Sequence, residues 1–158
     1  MSSAVYEVRE VRVAPRPVAA VRAQVARGRV SKEFGRHLDL VYAAARAGAV
    51  HLDGQNVFVY RAATADALTV DFCVGVTHPF AGAGEVQSFQ TPDGAAAMTT
   101  HVGDYGRLSE AHAAILGWCR AHGRMAAGPF WEVYGHWHED PAQLRTEVYY
   151  LLQLARAE

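Results

Sequence analysis

Apolar and polar residues alternate along 6–13, and this period of two predicts a β-strand. Other short runs that are rich in apolar, β-branched and aromatic residues and are bounded by turn residues also predict strands. Two segments instead repeat their apolar residues every three or four positions, which predicts one helix after Arg29 and another after Asp104. The predicted order is therefore β-β-α-β-β in the first half and β-β-α-β-β again in the second. The predicted strands are 6–13, 18–25, 57–61, 68–76, 85–90, 95–102, 130–134 and 144–152.

Turn and cap residues set the predicted ends of these elements. Pro15 and Pro17 break the first strand, so the first two strands are expected to form a hairpin. Ser31 is the expected cap of the first helix and Gly48 its end. Asp104 and Gly123 have the same roles for the second helix, and residues 51–56 are expected to form a loop. The helical stripes are Phe34, Leu38, Val41, Tyr42 and Ala45, then Leu108, His112, Ile115, Leu116 and Cys119.

The two halves also align with each other. Residues 16–25 match 93–102, residues 57–60 match 131–134, and residues 68–76 match 144–152. This internal repeat predicts an α+β fold in a single domain, 1–158, built from pseudo-repeats 4–77 and 84–153. The expected architecture is a pseudo-twofold antiparallel sheet with both main helices on one face. A central cleft between the halves is the expected ligand site.

Composition narrows the class of partner. A net charge of −1 argues against direct nucleic acid binding, for which a basic face is expected. No apolar run has the length of a membrane span, and no signal peptide pattern opens the chain. Cys73 and Cys119 are interpreted as small buried residues in a reducing compartment, so the expected location is the cytoplasm. A monomer is the expected state, although a homodimer stays open.

Glu132 is the strongest candidate for function, because it interrupts an apolar strand. A carboxylate in such a strand is costly to bury unless it is paired or used. Its aligned position in the first half is Phe58, and Tyr134, which shares its strand face, aligns with Tyr60. Only one copy of the repeat therefore carries the acid. The alternatives are an exposed edge-strand glutamate, a polar anchor for a cationic ligand, and a general acid or base assisted by Tyr134.

Other candidate residues have weaker support. Glu147 aligns with Asp71, and an acid in both copies favours a structural role over a ligand contact. The predicted ligand-binding aromatics are Tyr60, Phe58, Trp118 and Tyr42. The run from His136 to Asp140 is interpreted as a solvated loop and not a metal site, since zinc usually takes four ligands. His112 is interpreted as a core histidine, and no cofactor motif is found.

Several of these segments resemble the GyrI-like small-molecule-binding domain, also called the bacterial transcription-activator effector-binding domain. The segments are 102–108 (VGDYGRL), 116–118 (LGW), 128–134 (GPFWEVY), 140–141 (DP) and 146–148 (TEV). Their order and spacing carry the resemblance over nearly the whole chain. The family's tandem β-β-α-β-β fold agrees with the repeat, and its central acidic residue falls on Glu132.

The resemblance implies three functions. The first is binding of a small apolar, cationic or electrophilic compound, with Glu132 as the polar anchor. The second is hydrolysis of cyclopropane-type genotoxins, with Glu132 and Tyr134 as catalytic residues. The third is a protein-interaction module similar to a gyrase inhibitor. Family members often carry a DNA-binding helical module, but the first predicted strand begins near residue 6, so a self-contained DNA-binding regulator is not expected.

Overall fold

The computed structural model of the protein describes residues 5–154 and has eight strands and two α-helices in that range. The strands are β1 (Arg9–Val13), β2 (Pro17–Ala26), β3 (Leu52–Ala63), β4 (Ala67–Val76), β5 (Gln87–Gln90), β6 (Gly94–Val102), β7 (Ala126–Tyr134) and β8 (Arg145–Leu152). The helices are α1 (Val30–Arg46) and α2 (Leu108–Ala121), with 3-10 turns at Tyr105–Arg107 and Pro141–Gln143. Each half has the predicted order β-β-α-β-β. Residue 4, where the first pseudo-repeat was predicted to begin, lies outside the described residues.

The chain divides into two compact units. The N-terminal unit is Pro15–Pro92, and the C-terminal unit combines the residues up to Ala14 with those from Asp93 onward. Strand order is β3-β4-β2-β5 in the N-terminal unit and β1-β6-β8-β7 in the C-terminal unit, and the registered pairs are antiparallel. Helix α1 packs on β2 and β4, and α2 packs on β6 and β8. The predicted α+β class with antiparallel strands and two main helices is confirmed.

The predicted hairpin of the first two strands is wrong. Strand β1 pairs with β6, whereas β2 pairs with β4 and β5. The backbone of Arg16 explains this, because its N–H donates to Thr91 Oγ1 and its carbonyl accepts from the Thr91 N–H. These bonds extend the β2–β5 pairing beyond Pro17. The backbone groups of Arg16 are therefore not used for pairing between β1 and β2.

Several element boundaries also differ from the prediction. Strand β3 begins at Leu52, so residues that were expected to form a loop lie in a strand with a register shift before Asn56. Gly54, with φ of 87°, supplies the irregular backbone there. Ser31 lies inside α1, whose N-cap is Arg29 and has no side-chain cap bond. Asp104 caps the 3-10 turn ahead of α2 by accepting from the Gly106 N–H.

The strand registers agree with part of the predicted repeat. Phe58 pairs with Phe72 in the N-terminal unit, and the aligned residues Glu132 and Val148 pair in the C-terminal unit. The alignment of β2 on β6 is shifted by one position, since Val21 pairs with Phe72 but Thr99 pairs with Val148. The sequence alignment had matched Val21 with Met98. Both strands are rich in small apolar residues, so a shift of one residue changes the apparent similarity of the two sequences very little.

The core of the C-terminal unit lies between α2 and β8. It includes Ala111, Ile115 and Cys119 from the helix, and Val148, Tyr150 and Leu152 from alternate positions of the strand. Helix residues that are four positions apart therefore pack against every second residue of the strand, and both sets belong to one apolar core. Neither helix in residues 5–154 is long and apolar enough to span a membrane.

His37 is a buried polar residue in the core of the N-terminal unit. Its ring lies flat on Phe72 at a centroid distance of 4.8 Å, and its Nε2 is buried without a hydrogen-bond partner among the described residues. Burial, then the charge of Arg36, lowers the pKa of His37, so the ring stays neutral. An unsatisfied buried nitrogen destabilises the fold by about 1–3 kcal/mol.

We expect His37→Phe to stabilise the protein by about 1 kcal/mol, because phenylalanine keeps the flat contact with Phe72 and removes the unpaired nitrogen. Thermal unfolding followed by circular dichroism measures this as a rise in Tm of about 2–4 °C. His138→Phe, in an exposed loop, is the control and should leave Tm unchanged. A lower Tm for His37→Phe contradicts the interpretation of His37 as an unsatisfied core residue.

Candidate functional site

Glu132 lies on the face of β7 that is turned toward α2. It pairs directly with Val148, which belongs to the core under α2, and residues directly opposite in an antiparallel pair project from the same face. Trp131 pairs with Tyr149 on the other face, and their rings stack at 5.1 Å. The strand alternation predicted for Glu132 and Trp131 is therefore confirmed. Glu132 is 6% exposed, so the exposed edge-strand alternative is wrong.

Two side chains hydrogen-bond the carboxylate of Glu132. The Tyr134 hydroxyl donates to Oε1 at 2.6 Å, and His112 Nε2 lies 2.7 Å from Oε2. The other ring nitrogen of His112, Nδ1, lies 2.7 Å from the Tyr150 hydroxyl. Helix α2 supplies His112, strand β7 supplies Glu132 and Tyr134, and strand β8 supplies Tyr150. We call these four residues the carboxylate cluster.

The hydrogen bonds of the cluster fit an ionised Glu132. Tyr150 donates to His112 Nδ1, which leaves the proton of the imidazole on Nε2, and that N–H donates to the carboxylate. Burial raises the pKa of Tyr150, and the charges of Glu132 and Cys119 raise it further, so the hydroxyl keeps its proton. Donors from Tyr134 and His112 stabilise the charged form of Glu132.

Aromatic rings surround the carboxylate cluster. Phe130 stacks on Tyr150 at 4.8 Å with an interplanar angle of 9°, and its ring meets the edge of His112 at 5.6 Å. Tyr105 packs at 90° to Tyr134 with centroids 5.6 Å apart. Tyr105 is exposed, and Phe130 and Tyr134 are half-buried, so aromatic surface leads from solvent to a buried anion.

Sequence reasoning missed four members of this arrangement, which are His112, Tyr150, Phe130 and Tyr105. His112 was interpreted as a satisfied core histidine, and both of its ring nitrogens are bonded, but its contact with Glu132 was not predicted. Its position in the apolar stripe of α2 was the signal, because that stripe must face the strands that carry Glu132. Tyr105 and Phe130 lie in segments that carry the family resemblance, yet spacing alone does not show which way they point.

The remaining predicted residues of the C-terminal unit are Glu147 and Trp118, which make other contacts. Glu147 pairs with Val133 on the face of β8 opposite to α2, where it accepts from the Tyr149 hydroxyl at 3.1 Å. Burial and the nearby Glu147 raise the pKa of Tyr149 to about 12. Trp118 stacks on His122 at the end of α2 with centroids 4.4 Å apart.

Three predicted ligand contacts belong to the N-terminal unit. Phe58 packs against Phe34 and Phe72, and Tyr60 is 7% exposed on the same strand, β3. The Tyr42 hydroxyl donates to Asn56 Oδ1 at 2.7 Å. These contacts are those of packed residues within their own unit. The ligand roles of Phe58, Tyr60 and Tyr42, and the cleft between the halves, stay predictions.

Asp71, which aligns with Glu147, is fully buried in an ion-pair cluster. Arg22 Nε lies 2.6 Å from Oδ1, and Arg61 Nε lies 2.9 Å from Oδ2. Arg22 also sits over the ring of Phe89 at 4.4 Å, and Arg61 donates to the Gln90 carbonyl at 2.7 Å. These contacts attach the short edge strand β5 to the sheet, so Asp71 has a structural role. Among residues 5–154 there is no group of three histidine, cysteine or acidic side chains placed to hold a metal ion.

Comparison with known families identifies the family of the chain. The sequence pattern of the GyrI-like small molecule binding domain matches residues 6–153. The chain belongs to this family. This GyrI-like domain has no significant match among curated proteins.

Solved structures show the same fold at low sequence identity. The C-terminal domain of EcmrR has a TM-score of 0.77 at 18% identity, with 96% of this chain and 100% of that chain covered. In an EcmrR–DNA complex the TM-score is 0.81 at 18% identity, with 95% of this chain and 58% of that chain covered. The GyrI-like domain therefore spans little more than half the length of the chain in that complex.

Two further structures are similar in fold. SAV2435, solved bound to tetraphenylphosphonium, has a TM-score of 0.63 at 9% identity, with 95% of this chain and 94% of that chain covered. A hydrolase from Listeria innocua has a TM-score of 0.62 at 12% identity, with 93% and 92% covered. Identities this low establish the shared fold alone.

Proposed function

We propose that this GyrI-like domain binds a small, apolar, cationic compound next to Glu132. The observation that supports this most directly is a carboxylate, 6% exposed, that accepts from Tyr134 and His112 and is surrounded by aromatic rings. Such a site offers a fixed negative charge to a ligand whose remaining surface is hydrophobic.

Physical chemistry favours a lipophilic cation over a hydrophilic one. A buried carboxylate attracts a cation more strongly than one in water, because the local dielectric constant is lower. The faces of Phe130, Tyr134 and Tyr105 add cation–π attraction of about 0.5–2 kcal/mol and apolar contact area. A small hydrophilic cation gains less from these rings and loses more hydration on entry. The tetraphenylphosphonium bound to SAV2435 has the required chemistry, although that structure shares only the fold.

A direct test compares a permanent cation with a neutral compound of similar shape. We expect tetraphenylphosphonium to bind one per chain in calorimetric titration, and triphenylphosphine oxide to bind at least about tenfold more weakly, a difference of about 1.4 kcal/mol. Equal affinity for the two compounds, or no binding of the cation up to its solubility limit, contradicts the proposal.

A second candidate function is hydrolysis of an electrophilic, cyclopropane-containing compound. The hydrogen bond from Tyr134 to Glu132 favours it, because this pair has the arrangement of a general base and a hydroxyl that orients it. Water would add its oxygen to a ring carbon while a ring C–C bond breaks toward a conjugated acceptor. Glu132 would take the proton from water and return it to the ring-opened product. His112 is poorly suited to be the base, since both of its nitrogens are bonded.

Mass spectrometry separates the two functions. A hydrolase converts an activated cyclopropane to a product heavier by one water, and Glu132→Gln then retains binding and loses turnover. A binder of cations forms no product, and the same substitution removes affinity. The fold shared with the Listeria innocua hydrolase makes this test necessary.

A further inference from the structure

The Tyr150 hydroxyl gives the carboxylate cluster a second protonation state that needs no movement of heavy atoms. A phenol can donate or accept a hydrogen bond, whereas a neutral imidazole has one donor and one acceptor nitrogen. His112 lies between this phenol and a carboxylate, with 2.7 Å on each side. This placement makes His112 the position at which the charge of the site can change by one.

We propose that His112 links cation binding to proton release: a lipophilic cation and a proton on His112 compete for the negative charge of Glu132. The inference rests on the proposed function, because it concerns regulation of the same site. His112 is here a positioning residue, since it acts on the ligand through Glu132.

The two states differ by one proton and by the orientation of the Tyr150 hydroxyl hydrogen. With His112 neutral, Tyr150 donates to Nδ1 and the Nε2–H donates to Glu132. With His112 protonated, the Nδ1–H donates to the Tyr150 oxygen, whose own hydrogen rotates away, and the Nε2–H still donates to Glu132. Every distance in the cluster suits both states, because a hydrogen bond of this length has the same heavy-atom separation in either direction.

The groups that face His112 set the sign of the effect. Strand β7 presents Glu132 and Tyr134, strand β8 presents Tyr150, and the Phe130 ring covers the imidazole edge. On the same helix, Cys119 lies near Tyr150, and Glu110 is paired with Arg107 at the surface. The carboxylate of Glu132 contacts the ring directly. A proton on His112 therefore neutralises the negative charge of Glu132, and the protonated ring repels a cationic ligand.

Competition predicts a specific pH profile. Where His112 is neutral, tetraphenylphosphonium affinity is constant. At pH values low enough to protonate His112, the affinity falls with decreasing pH. The fall is up to tenfold per pH unit, because one proton must leave for each cation bound. Tetraphenylphosphonium has no titratable group, so the change belongs to the protein. Triphenylphosphine oxide carries no charge and should bind equally across the range.

His112→Gln tests the assignment, because the glutamine amide keeps a donor near Glu132 but takes up no proton. We expect this variant to bind tetraphenylphosphonium about threefold more weakly at alkaline pH and to lose the pH slope. His122→Gln, at the C-cap of the same helix and stacked on Trp118, is the matched control and should keep the wild-type slope. Imidazole nitrogen NMR provides a second readout: adding the cation at fixed acidic pH should reduce the protonated fraction of His112.

The possible outcomes distinguish failure of the proton linkage from failure of the proposed function. Equal pH slopes in wild type and His112→Gln, or a protonated fraction of His112 that the cation leaves unchanged, overturn the proton linkage while the proposed function stands. Absence of tetraphenylphosphonium binding at every pH overturns the proposed function and this inference together. Loss of the slope in His112→Gln but not in His122→Gln supports the linkage.

Discussion

Glu132→Gln should weaken tetraphenylphosphonium binding by about 2–5 kcal/mol, which is roughly 30- to 5,000-fold in Kd. The substitution keeps the size of the side chain and removes its charge. Hydrogen bonding at the site also changes, because the glutamine amide is a donor placed where Tyr134 or His112 now donates. Calorimetric titration of wild type and variant at pH 8 measures the effect.

Glu147→Gln is the matched control for this experiment. Glu147 lies on the neighbouring strand β8, but on the face opposite to α2, and it also accepts from a tyrosine hydroxyl. Removing its charge should change the affinity by less than about threefold, as expected for a charge outside the contact. Circular dichroism confirms that both variants are folded. A loss of affinity that is equal in the two variants contradicts Glu132 as the anchor.

The second large effect is on stability. Asp71→Asn should lower the free energy of unfolding by about 2–4 kcal/mol, because it leaves Arg22 and Arg61 without their shared counter-charge. This loss is smaller than is usual for a broken buried ion pair, because the Arg22 side chain is 46% exposed and can turn toward water. Urea denaturation measures the change as a lower midpoint with an unchanged slope.

Glu110→Gln is the control for Asp71→Asn. Glu110 forms an ion pair with Arg107 at 2.7 Å, but both side chains are exposed, so the loss should be below about 1 kcal/mol. If Asp71→Asn costs no more than Glu110→Gln, the Asp71 cluster does not attach β5 to the sheet. A parallel loss of tetraphenylphosphonium affinity in Asp71→Asn with normal folding would instead give Asp71 a role in binding.

Strand alternation and helical spacing predicted the elements well wherever one face of an element is buried. The apolar run 144–152 was predicted as a strand, and the opposite faces of Glu132 and Trp131 followed from the alternation of side chains along β7. The same reasoning failed for β1, because pairing depends on which edge is available and not on nearness in sequence. It also failed for the polar start of β3, whose backbone bulges at Gly54 and exposes its side chains to water.

Glu132 and Tyr134, which share one face of β7, were predictable from the sequence, but the partners from α2 and β8 were not. Glu132 was conspicuous because the aligned position in the first half holds Phe58. The bond to His112 crosses from a strand to a helix, and no local pattern encodes which helical residue meets a given strand position. His112 had one visible signal, a titratable residue in an apolar stripe, but a core histidine gives the same signal.

The most direct test of the central claim is a crystal structure of the wild-type protein with tetraphenylphosphonium. The prediction is a phosphonium whose phenyl rings contact Phe130 and Tyr134 and whose nearest carboxylate is Glu132. A cation bound instead on the opposite face, against Trp131 and Tyr149 with Glu147 as its nearest carboxylate, contradicts the assignment of Glu132 as the anchor.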